Sequence, residues 1–212
     1  MQTERIRALI EEGKSAERQT GMLRRALTHL TTVDRRGLKE AEMQKVINFV
    51  GDYVEHALAL MMLIENAAAN IDRLQEVQPV LDAAENYFLA ADDTIPDHFG
   101  LIGLMDDAYL IHRLLQALSD DYKSQSGESL LPLETHEDNA FIRRLIGEPF
   151  ASILDDQVSA TLAGPGLQDN LNQMLTLLGQ TNLSSSPDPI WGTAGATGTS
   201  DARLAAIDIF KL

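Results

Sequence analysis

Between Ile47 and Leu74 the apolar residues Ile47, Val50, Val54, Ala57, Leu58, Met61, Ile64, Ala68, Ile71 and Leu74 recur at intervals of three and four. That is the period of an α-helix, not the alternation of a half-buried strand. From Ala57 to Ile64 the helix is apolar on every side, which predicts a central place in a bundle and the most buried stretch of the chain. No run of alternating β-branched residues occurs elsewhere. The predicted fold class is therefore all-α, a helical bundle of about six to eight helices with a flexible C-terminal tail.

The flanking segments repeat the pattern. Ile6, Leu9 and Ile10, then Leu23, Ala26, Leu27 and Leu30, mark an N-terminal helical region, with Gly13 and Gly21 predicting a bend or break within it. Asp34-Arg35-Arg36-Gly37 reads as a turn. Pro79 reads as the first residue of a shorter helix that turns Leu81, Ala84, Phe88 and Leu89 inward. A long helix is predicted from about Leu104, followed by a polar loop over Lys123–His136. Helices near Asn139–Leu145 and Pro149–Leu162 come next, parted by Gly147. Ala163-Gly164-Pro165-Gly166 then precedes a last stripe of Leu167, Leu171, Met174, Leu175 and Leu178.

Residues 1–182 thus read as one helical bundle domain, 183–200 as a Gly-, Ser- and Thr-rich linker, and 201–212 as a docking segment. The docking segment carries Leu204, Ile207, Ile209, Phe210 and Leu212. Large side chains of this kind are each worth about 1.5–3 kcal/mol when buried, so the segment is expected to seat in an apolar groove. Its groove belongs to this bundle, to another copy, or to a separate protein. Trp191, the single tryptophan, lies in the linker.

Charge and cysteine usage narrow the function. With 17 basic against 32 acidic residues the chain has a formal charge of −15, the wrong sign for a general nucleic-acid binder. Residues 1–45 carry ten basic and seven acidic side chains, the remainder seven and twenty-five, so the N-terminal region can dock on an acidic surface of its own body or of another copy. With no cysteine there is no disulfide scaffold, thiolate zinc site or catalytic thiol. The charged start MQTERIRALIEEGK does not read as a signal peptide. Ala57–Ile64, the longest apolar stretch, falls short of the roughly 20 residues a membrane span requires. A cytoplasmic protein with no membrane span is expected.

The densest group of chemically interesting residues runs from Asp92 to Asp107 and contains Asp93, Ile95, Pro96, Asp97, His98, Gly100, Gly103, Asp106 and Asp107. Pro96 bars Ile95 from helical geometry, and the glycines permit close approach or positive φ, so the segment reads as a joint between two helices. Its carboxylates support two readings. In one, they accept backbone N–H groups and lock the joint, Asp97 and one of Asp106 or Asp107 doing so. In the other, Asp93, Asp97, Asp106 and Asp107 hold Mg²⁺ or Ca²⁺ through oxygen, with His98 drawing the site toward a transition metal. Over about Val80–Leu118 the chain resembles the YkvA-like family of uncharacterised bacterial proteins, at Asp93, Ile95, Pro96, Asp97, Gly103, Asp106 and Asp107. Gly100 stands where that family usually has a second proline and His98 where an apolar residue is common. The resemblance implies no activity, because the family has no established function.

The remaining histidines, His29, His56, His112 and His136, form no HExxH or Glu-x-x-His pattern, and read with Glu65 as structural. There is no Walker A, GxGxxG or GxSxG motif, and no nucleophile, base and orienting group can be assembled. The sequence points to a non-enzymatic interaction or adaptor module working without a cofactor, its partner another protein or a second copy. The alternative is a divalent-metal enzyme or regulator centred on the Asp93–Asp107 cluster.

Overall fold

The computed structural model describes residues 2–33, 38–70, 72, 74–90, 95, 99–126 and 136–163. Among them it contains seven helices and no strand: α1 (Thr3–Thr20), α2 (Met22–Val33), α3 (Glu40–Asn70), α4 (Leu74–Leu89), α5 (Leu101–Ser126), α6 (His136–Ile146) and α7 (Phe150–Leu162). The all-α bundle expected from the periodicity is the observed fold. The stripe at 167–178, the linker 183–200 and the docking segment 201–212 lie outside the described residues.

The first helix is not broken at Gly13. α1 runs through it, burying Ile6, Ile10, Gly13 and Glu17 as one stripe. Gly13 is there for proximity: a Cβ would stand 2.3 Å from Leu104 Cδ1 on α5. The chain turns instead at Gly21, whose φ of 58° is left-handed and closes α1. Glu17 then serves the next helix, its buried carboxylate accepting the Leu23 N–H at 2.8 Å and the Arg24 N–H at 3.1 Å. Those are amides of the first turn of α2, which have no partner inside their own helix.

α3 is 31 residues long and so spans about 46 Å. The segment Glu40–Asn66 is long and apolar enough to cross a membrane by length and composition, but 61% of its apolar window is buried among the other helices. Its hydropathy is that of a core helix. Ala57, Leu58, Leu60, Met61 and Ile64 are buried, as expected. They are not, however, the most buried stretch. Every residue from Gly103 to His112 on α5 is buried, and α5 packs against all six other helices. Polar residues within that stretch hide its centrality from a hydropathy reading.

Pro79 does not open α4, which begins at Leu74 and carries the proline inside it. So early in the helix the missing N–H removes a single bond, and Val80, Leu81, Ala84 and Phe88 still face the core. Asp72, at φ 57°, reverses the chain between α3 and α4, a conformation aspartate tolerates better than most residues.

The basic N-terminal region does dock on the body. Lys14 pairs with Glu55 of α3 and the Gln2 N–H donates to Glu85 of α4 at 2.9 Å, whereas the Arg24–Glu40 pair lies within the N-terminal region itself. Such exposed pairs contribute at most about 1 kcal/mol each, so the apolar stripe of α1 carries the attachment.

Candidate functional site

The acidic joint enters α5 through Gly100, at φ 69°. A Cβ at Gly100 would come within 3.3 Å of both the Ala16 Cβ and the Gly13 carbonyl, so Gly100 lies tight against α1. Proline, fixed near −65°, cannot adopt this backbone. Asp106 is buried, and its Oδ2 accepts the Ile95 N–H at 3.0 Å. That bond ties the residue before Pro96 to the second turn of α5, as the locking reading requires of one of the two aspartates. Asp107 is buried beside it, about 100° around the helix. Asp93, Asp97 and His98 lie outside the described residues. Among the described residues no three His, Asp or Glu side chains gather as a metal site would require.

A second polar centre, not anticipated from sequence, links α3, α5 and α6. Tyr53 donates its hydroxyl to Asn139 Oδ1 at 2.6 Å, and Asn139 Nδ2 donates to Gln116 Oε1 at 2.6 Å. Arg113 Nη1 also donates to Gln116 Oε1, at 3.2 Å, while Gln116 Nε2 reaches the ring of His136. Each amide orientation is thereby fixed by its neighbour. His112 stacks on the Tyr53 ring at 4.0 Å between centroids, with the His56 ring 5.0 Å away. Its Nε2 lies 3.1 Å from the Tyr53 carbonyl, which can only accept, so that nitrogen carries the proton. His112 Nδ1 is then a buried acceptor with no hydrogen-bond partner among the described residues.

Burial dictates the charge state of this centre. It lowers His112 to about 4, against a smaller upward pull from the Tyr53 carbonyl. Burial, then the neighbouring His112, lowers His56 to about 2. Tyr53 is held well above its ordinary value, chiefly by burial. All three are neutral at pH 7. His56 faces His112 while its neighbour Glu55 points outward to Lys14, the divergence expected of adjacent helix positions.

A third centre closes α5, α6 and α7 around Asp155. Tyr109 donates to Asp155 Oδ1 at 2.8 Å and Arg143 Nε to Oδ2 at 2.9 Å, with Arg113 Nε 3.4 Å from Oδ1. Arg143 also pairs with Glu148 at 2.8 Å. Burial alone would raise the Asp155 carboxyl, but Arg143, Tyr109 and Arg113 hold it below its ordinary value. Burial, followed by Asp155, pushes Tyr109 up to about 12.

Chemically, these centres are fasteners. The two larger ones join separate helices, and His112, whose Nδ1 has no hydrogen-bond partner among the described residues, is 1% exposed and out of reach of a substrate. The signal that could have located the second centre is the pair His112 and Gln116, one turn apart on α5, facing Tyr53 and His56, three apart on α3. Comparison with known protein families, with curated proteins and with solved structures finds no match to this chain.

Proposed function

We propose that this protein is a non-enzymatic protein–protein interaction module, a fastened helical base whose segment 201–212 engages another protein chain. One observation carries the reading: among the described residues, Phe150 and Ile153 are the only large apolar side chains left exposed. A core that closes to this degree by residue 163 leaves Leu204, Ile207, Ile209, Phe210 and Leu212 in surplus. Surplus apolar residues behind a Gly- and Ser-rich linker are the composition of a tethered binding element. A cytoplasmic setting belongs to the same reading.

Truncation after Ser184, compared with the full chain by light scattering and thermal melting, tests it. The expected result is loss of the higher-mass species, with the melting midpoint of the dilute bundle unchanged. A lower midpoint for the truncated monomer would instead make the segment part of the core.

A further inference from the structure

On α7 the buried residues Ala151, Leu154 and Val158 form one stripe, turned toward the bundle. The outer face presents Phe150, Ile153, Gln157 and Ala160, with Phe150 43% and Ile153 44% exposed. Neither residue type is placed at such exposure for solubility, and spacing i, i+3 puts the two side by side on one face. The chain also supplies an occupant. Described structure ends at Ala163, at the C-terminal end of this same helix, and the sequence continues Gly164-Pro165-Gly166. It then runs into the stripe Leu167, Leu171, Met174, Leu175 and Leu178, at intervals of four, three, one and three.

We infer that residues 167–178 pack as an antiparallel helix on the outer face of α7, covering Phe150 and Ile153. Connections of about two to five residues place consecutive helices side by side and antiparallel, and Ala163–Gly166 is of that length. Such a return sets Leu167 beside Leu162. Counting back one residue for each residue forward brings Leu175 level with Leu154, next to Ile153, and Leu178 level with Ala151, next to Phe150. The two segments also match in length, α7 having 13 residues and the stripe running from Leu167 to Leu178. A second copy is the weaker occupant. Two partly exposed side chains offer far less than the roughly 800 Å² per partner of a stable dimer. The inference is independent of the role proposed for 201–212, which lies beyond the linker.

The chain has no cysteine, so engineered pairs read this contact without background. Ile153→Cys combined with Leu175→Cys is compared with Ile153→Cys combined with Gln173→Cys, which points to the opposite side of the same helix. Under mild oxidation the first pair should form an intramolecular disulfide about tenfold faster, at a rate independent of protein concentration, because bridging requires Cα atoms within about 7 Å. Equal rates in the two variants, or bridges formed only between copies, overturn the inference. Hydrogen exchange on cysteine-free protein guards against a misfolded variant. Phe150→Ser with Ile153→Ser should strip amide protection from 171–178 while leaving α5 protected, and unchanged protection there counts against the contact.

Discussion

The two polar centres that hold α6 to the bundle are built on opposite principles. The centre around Tyr53, His112, Gln116 and Asn139 is dry and built of neutral side chains at most 7% exposed, with Arg113 reaching Gln116 at its edge. The clasp around Asp155 is charged and half-wet, with Arg113, Arg143 and Asp155 side chains 28–39% exposed. A dry network has no fallback, because a group that loses its partner cannot turn to water. A wet clasp exchanges a lost partner for solvent at small cost. The dry centre should therefore dominate stability, although the clasp contains every full charge.

Removing one partner from each centre exposes the contrast most strongly. Asn139→Ala strands the Tyr53 hydroxyl and takes a donor from Gln116, each costing about 1–3 kcal/mol, and it leaves a small cavity. Chemical denaturation should show a loss of about 3–5 kcal/mol. A loss below about 1 kcal/mol would mean that water enters the centre and that it is not dry.

Acid should separate the centres next. A histidine whose folded pKa lies below its unfolded value binds fewer protons folded than unfolded, so stability falls as pH falls between the two. For His112 that window runs from 6.5 down to about 4. At about 1.4 kcal/mol per pH unit the loss approaches about 3 kcal/mol across it. His56, lowered to about 2, titrates across the same window, so His112→Gln should reduce the slope there by about half. Asp155 has linkage of the same sign in a lower window: its depressed pKa supplies stability above its unfolded value of 3.8, lost as pH falls through the lower folded value. The clasp should thus persist where the dry centre has already weakened. A stability profile level between the two limits of the His112 window would break this ordering.

The smallest effect belongs to the clasp itself. Asp155→Ala should cost about 1 kcal/mol after discounting for solvent, most of it from the unpaired Tyr109 hydroxyl. Asp155→Asn, which keeps an acceptor for Tyr109, should cost less. A cost for Asp155→Ala matching that of Asn139→Ala would erase the distinction between the centres.

The sequence makes the helices visible more readily than the fasteners. Apolar spacing reports α1 to α4, whose buried residues recur at helical intervals, and Gly147 and Pro149 mark the α6–α7 corner. It undervalues α5, where Asp106, Asp107 and His112 interrupt the apolar pattern yet are buried. Tyr53 and Asn139 are 86 residues apart, and no local pattern announces such a pairing. The Asp93–Asp107 segment is legible because its polar residues are compact in sequence, whereas the larger polar centres assemble only when helices meet.

The central claim is that buried polar residues on α5 fasten helices, Asp106 among them. Its most direct test is the melting midpoint of the full chain and of Asp106→Ala, each with and without millimolar Mg²⁺ or Ca²⁺. The account predicts no cation-induced shift in the unsubstituted chain. It also predicts a lower midpoint for Asp106→Ala in every condition, since the Ile95 N–H loses its acceptor at a cost of about 1–3 kcal/mol. A midpoint that rises with either cation in the unsubstituted chain, together with an Asp106→Ala variant that matches it without metal and loses only that rise, would contradict the account.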